Sequence, residues 1–386
     1  MHLIISHLAF LAHVVLVAST AAPPPASGAT SQINAAAATT AQAQRSIPII
    51  DIAPLVSPSS DLSQRHQVAN QIGAACRDIG FFAIINHGIP PATIDSLLAS
   101  SRKFFDMSEE DKMAAKSAND KEYPYGYERS EVLSKGKRLD GTIGGEDECS
   151  SSPDLKETFS LGPKLSPDGR PARRWPPKLP LDDAFISTHE EYYAAMDALA
   201  QSLLRGFALA LGLDEEYFRP YFADDKHQCA LRTLNYPDTG SNLRPGQIRA
   251  GAHTDYGALT ILKTGGPGLQ VRRDVEEEEG WIDAPDLDDA FIVNVGDMMR
   301  RWTNDEWAST LHRVVVVEDT DKGDSSDDRR QSVAFFVNAR GDAVVEPLPT
   351  CVSEENPAKY GPVTAGEYLL RKHLVSMGSD LKDASS

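Results

Sequence analysis

The sequence is poor in cysteine, in basic charge and in long apolar runs, and each shortage removes a class of protein. Its four cysteines, Cys76, Cys149, Cys229 and Cys351, are scattered over 386 residues with no Cys-x-x-Cys pair. That spacing argues against a disulfide scaffold and against a cysteine-based zinc site, both of which need closely spaced thiols. Lys and Arg number 38 against 56 Asp and Glu, a net charge of −18. A nucleic-acid backbone would be repelled over most of such a surface, so nucleic acid is not an expected partner. Much of the acid excess falls in two short runs, 276–279 and 318–328, that read as solvated loop tips. The apolar run 3–17 is interrupted by His7 and His13 and falls short of the about 20 apolar residues that a membrane-spanning helix needs.

Acidic residues are absent altogether before Asp51. The run 3–17 leads into the small residues 18–22, as a secretory signal peptide leads into its cleavage site, and 23–44 is rich in Ala, Ser, Thr and Gln. No Lys or Arg precedes the apolar run, and Arg45 is the one arginine of the stretch. Residues 1–45 are expected to be a cleaved targeting segment, leading to the secretory pathway or onward to an organelle. The alternative is a low-complexity tail on a cytoplasmic enzyme.

What is present is a set of metal-ligand residue types on extended segments. Ala250-Gly251-Ala252-His253-Thr254-Asp255 ends a polar loop and runs into the apolar segment 258–262. Residues i and i+2 of an extended chain share a face, so His253 and Asp255 could grip one ion. A third ligand must come from elsewhere, and His312, at the head of the β-branched run 312–317, is the candidate. Two imidazoles and one carboxylate with open positions opposite suit a non-haem Fe(II) centre that activates oxygen. Further on, Arg330-Gln331-Ser332 puts a guanidinium and a hydroxyl on one face of another strand. The same parity rule sets Arg329 and Arg313 on the faces opposite Arg330 and His312.

The order His-x-Asp, distant His, then Arg-x-Ser in an aromatic strand resembles the isopenicillin N synthase-like branch of the Fe(II)- and 2-oxoglutarate-dependent dioxygenases. Supporting motifs fall in the family's order from Ile47 to Asn338: the opening Ile47-Pro48-Ile49-Ile50-Asp51-Ile52, the helix-to-strand stretch 75–90, Leu231-Arg232-Thr233-Leu234-Asn235-Tyr236-Pro237, and Ile292-Val293-Asn294-Val295-Gly296-Asp297. The resemblance implies that His253, Asp255 and His312 hold Fe(II), and that 2-oxoglutarate and O2 take the remaining positions. The far carboxylate of 2-oxoglutarate asks for a planar guanidinium and a hydroxyl donor, which Arg330 and Ser332 supply, with Tyr236 as an extra donor. It also implies oxidative decarboxylation of 2-oxoglutarate to succinate and CO2, coupled to hydroxylation or a related oxidation of a small organic metabolite.

The element pattern gives a mainly β fold with flanking helices: a double-stranded β-helix, or jelly roll, preceded by an α/β region. Helical spacing predicts helices over 62–79, 91–105, within 180–213 and over 364–376, the third bracing one face of the barrel. Strands are predicted at 230–236, 259–263, 269–272, 291–295, 312–317 and 332–337, with Gly265-Gly266-Pro267-Gly268 as a turn. His87 sits in a turn motif and reads as structural. The polar, Gly-rich stretch 121–149 reads as a mobile loop at the substrate pocket, by resemblance to the family. The expected domains are 46–165, an N-terminal dioxygenase region; 166–225, a linker and long helix; 226–340, the jelly-roll core; and 341–386, a closing helix and tail.

The expected partner is a small-molecule substrate, and the expected protein is a monomer with no stable membrane span. Three alternatives carry their own signatures. A 2-oxoglutarate-independent oxidase of the isopenicillin N synthase type would consume O2 without releasing succinate. A non-catalytic small-molecule sensor would have no need of an intact iron site. A zinc hydrolase on the same ligands would leave Arg330 and Ser332 without a purpose.

Overall fold

The computed structural model describes residues 46–116, 125–129, 154–165, 173, 175–176, 184–222, 227–237, 248–275, 278–317 and 329–376. Residues 1–45, expected to be a targeting segment, most of the stretch 121–149 expected to be a mobile loop, Cys149 and the acidic run 318–328 lie outside the described residues.

The chain enters through β1 (Ile49–Asp51), helix α1 (Leu62–Asp78), β2 (Phe81–Ile85) and α2 (Pro91–Phe105). After β3 (Gly126–Glu128) and β4 (Glu157–Leu161) comes the long helix α3 (Ala184–Ala210). The remaining strands are β5 (Ala230–Tyr236), β6 (Ala250–His253), β7 (Leu259–Lys263), β8 (Leu269–Val275), β9 (Glu278–Asp283) and β10 (Phe291–Val295). Helix α4 (Asp297–Trp302), β11 (His312–Val314), β12 (Arg330–Val337), the short ribbon β13 (Val344–Val345) and β14 (Val363–Thr364), and helix α5 (Ala365–Ser376) complete it.

Two sheets carry the fold. The larger runs β1-β2-β10-β7-β12-β5-β4-β3 and the smaller β6-β11-β8-β9. Apart from the parallel β1–β2 pair, their pairings are antiparallel. This is a mainly β jelly-roll architecture, as the strand spacing predicts. The strands of the N-terminal region are added to the larger sheet at both edges, β1 and β2 at one and β3 and β4 at the other.

Helix α3 braces the larger sheet from outside. Its residues Tyr192, Met196, Leu199, Leu203 and Phe207 recur at three- and four-residue steps and are buried. The Phe207 ring meets Phe82 of β2 at 6.5 Å and Trp307 at 4.9 Å. Helix α1 starts at a capping box: the Asp61 carboxylate accepts from Gln64 N–H, and the Gln64 side chain accepts from Asp61 N–H. His87 has a structural role, with Nδ1 accepting from Ile89 N–H and the ring against Phe291. Cys76, Cys229 and Cys351 are buried free thiols.

Three local expectations change. The β-branched run 312–317 predicts a strand through Val317, yet β11 ends at Val314 after a register shift, and Val317 is exposed. The strand predicted at 269–272 continues to Val275 and pairs with β9, so the acidic run read as a loop tip enters a strand at Glu278. Asp255 is not on a strand at all: β6 stops at His253, and the carboxylate arrives from the loop that follows.

Candidate active site

The site lies between the two sheets. His253 on β6 and His312 on β11 are direct cross-strand partners, which puts both imidazoles on one face. Their ring centroids are 4.3 Å apart, and the Phe81 ring meets His312 edge-on at 5.3 Å. Asp255 Oδ1 stands 3.8 Å from Nε2 of each histidine. One cation at about 2.0–2.2 Å from each atom spans such a spacing.

Hydrogen bonds settle which atoms face that point. His253 Nδ1 lies 2.7 Å from the Gly251 carbonyl and His312 Nδ1 3.1 Å from the Thr310 carbonyl. A carbonyl can only accept, so in both rings Nδ1 carries the proton and Nε2 presents its lone pair. Asp255 Oδ2 accepts from Thr260 Oγ1 at 2.6 Å and from Asn294 Nδ2 at 2.8 Å, leaving Oδ1 to face the histidines. Burial pushes the His253 imidazole down to about 4, with His312 adding to the effect and Asp255 opposing it. Burial by itself would raise the Asp255 carboxyl, but the two imidazoles and the bonds from Thr260 and Asn294 outweigh it and hold the group below the ordinary value. His253 and Asp255 are therefore in the protonation states that a metal requires at neutral pH.

A second group among the described residues, Asp197, His227 and Cys229, has its donor atoms equally close together. Its hydrogen bonds run the opposite way. Cys229 N–H donates to His227 Nδ1, so Nε2 holds the proton and points it at Asp197 Oδ1, 3.4 Å away. The Cys229 thiol is pushed up by burial and donates to the Asn338 carbonyl. This group joins α3 to the segment before β5, and its histidine turns an N–H inward and not a lone pair.

Arg330 and Ser332 share one face of β12 and line the same cavity as the triad. Arg330 is 3% exposed. Its Nε and Nη2 both donate to the Gly266 carbonyl at 3.2 Å, and its guanidinium lies 5.0 Å from the Tyr236 ring centroid. Nη1 is buried without a hydrogen-bond partner among the described residues, the condition expected of a group that awaits an anion. Tyr236 is the direct strand partner of Arg330 and serves as its stacking platform. The glycine turn makes this possible: a Cβ on Gly265 would stand 1.6 Å from the Gln331 carbonyl oxygen, so only glycine lets the turn close on β12. Arg329 and Arg313 face away, to Asn235 with Asp106 and to Gln270 with Trp281.

Sequence reasoning missed the residues that hold the triad in place. Thr260 and Asn294 orient Asp255. Asp297, at the start of α4, accepts from Thr254 Oγ1 at 3.1 Å, from Ser309 Oγ at 2.7 Å and from Lys372 Nζ of α5 at 2.5 Å. It thereby clamps the loop between His253 and Asp255 to the segment before His312 and to the closing helix. A signal existed for two of them: Thr260 and Asn294 are lone polar residues in the apolar strands Leu-Thr-Ile-Leu and Phe-Ile-Val-Asn-Val, where a buried polar group needs a partner. Asn294→Ala is expected to weaken Fe(II) binding about 10- to 100-fold, the range for groups that orient a ligand. Anaerobic metal titration reads this, and unchanged affinity would assign the orientation to Thr260 alone.

Residues 47–180 match the family described as non-haem dioxygenase in morphine synthesis N-terminal, and residues 227–339 the 2OG-Fe(II) oxygenase superfamily. The homoarginine-6-hydroxylase 2-ODD-C23 of Glycine max is 31% identical over 351 residues, covering 86% of this chain and 97% of that protein. The chain belongs to the 2OG-Fe(II) oxygenase superfamily. It is similar in structure to Neurospora crassa T7H in complex with alpha-KG and thymine, with a TM-score of 0.71, 29% identity and coverage of 86% of this chain and 97% of that one. It is also similar to JOX2 in complex with 2OG, Fe and JA, with a TM-score of 0.63, 29% identity and coverage of 86% and 85%. The protein is an Fe(II)- and 2-oxoglutarate-dependent dioxygenase. Among its described residues no helix is long and apolar enough to cross a membrane.

Proposed function

We propose that this oxygenase hydroxylates a small organic metabolite at the expense of 2-oxoglutarate, with His253 Nε2, His312 Nε2 and Asp255 Oδ1 holding Fe(II). The observation that carries the reading is the pairing, in one cavity, of three inward lone pairs with a buried guanidinium whose Nη1 has no partner among the described residues. Iron with 2-oxoglutarate and O2 supplies an oxidant strong enough for an unactivated C–H bond, with release of succinate and CO2.

The chain's own residues do the rest. Arg330, backed by the Tyr236 ring and flanked by Ser332, binds the far carboxylate of 2-oxoglutarate as a planar fork. The Gly266 carbonyl fixes two of its donors, so the third is aimed before the anion arrives. Thr260 and Asn294 keep the Asp255 carboxylate turned by one oxygen only. The apolar side chains Phe81, Leu262, Leu269 and Val314 line the same cavity and keep water from it. The relatives support a small substrate, since the molecules they are named for or bound to are homoarginine, thymine and JA.

The test is a metabolite screen with Fe(II), 2-oxoglutarate and O2 that follows succinate and product mass together. The expected result is succinate release stimulated by a metabolite that gains one oxygen atom. Metabolite oxidation that consumes O2 and yields no succinate would overturn the reading.

A further inference from the structure

We propose that the buried pair Asp154 and Lys156 positions the metal ligand His253, with Asp154 holding Gly251 and Gly251 in turn holding the imidazole. The inference rests on the metal site proposed above and adds two positioning residues to it, both from the N-terminal region.

β6, which ends at His253, is an edge strand of the smaller sheet, and β11 pairs with it on one side. The pairing is irregular just where the ligand is set. His253 pairs with His312 and Ala250 with Val314, and Gly251 falls between them, where the register shifts. Side chains take its polar groups. Asp154 Oδ1 accepts from Gly251 N–H at 3.1 Å, and the Gly251 carbonyl accepts from His253 Nδ1–H at 2.7 Å. On an extended chain the N–H and the carbonyl of one residue point to the same side. A carboxylate that fixes the first therefore aims the second, and the second sets the plane of the His253 ring and the direction of Nε2. The chain just before β6 is held as well, since Leu155 N–H donates to the Ile248 carbonyl at 3.3 Å.

Lys156 keeps Asp154 in place. Its Nζ stands 3.1 Å from Asp154 Oδ2, and both side chains are almost wholly buried. An ion pair this deep is a weak source of stability, because the cost of desolvating both charges offsets most of their attraction. What it fixes is the direction of the carboxylate, one oxygen toward the ammonium and the other toward Gly251. The pair also stands at the site, since Lys156 lines the cavity that holds the triad. Residues 154–156 lead directly into β4 of the larger sheet, so they tie His253 to that sheet as Thr260 and Asn294 tie Asp255. The segment before His312 is anchored in a similar way, with Thr310 Oγ1 donating to the Ile79 carbonyl at 2.6 Å. Each of the three ligands thus has a holder outside its own segment.

The experiment uses the full chain, titrated anaerobically with Fe(II) for affinity and saturated with Co(II), whose visible bands report how its ligands are arranged. Asp154→Ala is expected to bind Fe(II) about 10- to 100-fold more weakly than the wild type, the range for groups that orient a ligand, and to show altered bands when saturated with Co(II). Asp154→Asn, which keeps an oxygen for Gly251 N–H, is expected to restore most of both. Lys156→Met leaves the carboxylate without its ammonium; it is expected to fall between the wild type and Asp154→Ala, and it carries the test if the Ala variant does not fold. A pair with only a structural role would lower the Tm of the metal-free protein and leave metal affinity and bands as in the wild type. That result overturns the proposal, as does an Asp154→Asn no better than Asp154→Ala. A wild type that binds no Fe(II) overturns the metal site itself instead.

Discussion

Asp255→Ala is expected to lose Fe(II) affinity by more than about a hundredfold, beyond the range for groups that merely orient a ligand, and with it all measurable turnover. The carboxylate supplies one of three donors, and its Oδ1 is the atom that both imidazoles face, at 3.8 Å each. No neighbour in the cavity wall can replace it, because Thr260 and Asn294 present hydrogen-bond donors to that spot. The barrel itself should persist. Asp255 lies beyond the end of β6, so no strand pairing depends on it, and the cost falls on two donors left without their acceptor, about 1–3 kcal/mol each at most. Metal content after reconstitution and far-UV circular dichroism together check the prediction. A variant that keeps stoichiometric iron and full activity would remove Asp255 from the metal site. Asp255→Asn should retain more of the apo stability than Asp255→Ala, since it keeps an acceptor for Thr260, while still binding iron poorly.

Arg330→Leu should leave Fe(II) binding intact and destroy the response to 2-oxoglutarate. Truncating one member of a buried, hydrogen-bonded charge pair costs about 2–5 kcal/mol, or about 30-fold to several thousandfold in affinity. Anaerobic titration of the iron-loaded protein with 2-oxoglutarate measures it through the visible charge-transfer band of the chelated 2-oxo acid. Arg330→Lys is the informative partner, because an ammonium keeps the charge but cannot bridge to the Gly266 carbonyl and the carboxylate as a fixed planar fork. It should fall between wild type and Arg330→Leu. If 2-oxoglutarate binds Arg330→Leu as tightly as the wild type, the far carboxylate goes elsewhere, and the buried Nη1 needs another explanation.

The two variants divide the site along a line that the chain already draws. Asp255 and the histidines belong to β6, β11 and the loop between β6 and β7, held to the larger sheet through Thr260 and Asn294. Arg330 belongs to β12, fixed by the turn that follows β7. Loss of iron should not disturb Arg330, and loss of Arg330 should not disturb iron.

The sequence alone determined whatever depends on neighbours in the chain. That His253, Asp255 and His312 would converge was legible, and so was the choice of Arg330 over Arg329 as the arginine that lines the cavity, because strand parity is a property of consecutive residues. Strands 230–236, 259–263 and 291–295 and the helix 91–105 were legible to the residue, since β-branched and apolar runs bounded by turn residues leave little choice. Tertiary structure decided the rest. His253 and Asp255 meet through a loop, where the i, i+2 rule of a strand does not apply, and His253 meets His312 because β6 pairs with β11 in that one register. Which imidazole nitrogen is free follows from carbonyls at Gly251 and Thr310, and this geometry separates the triad from the equally close Asp197, His227 and Cys229. The clamp at Asp297 depends on contacts between segments far apart in sequence. Local pattern fixes the face on which a side chain stands; only the register between distant strands fixes what it stands beside.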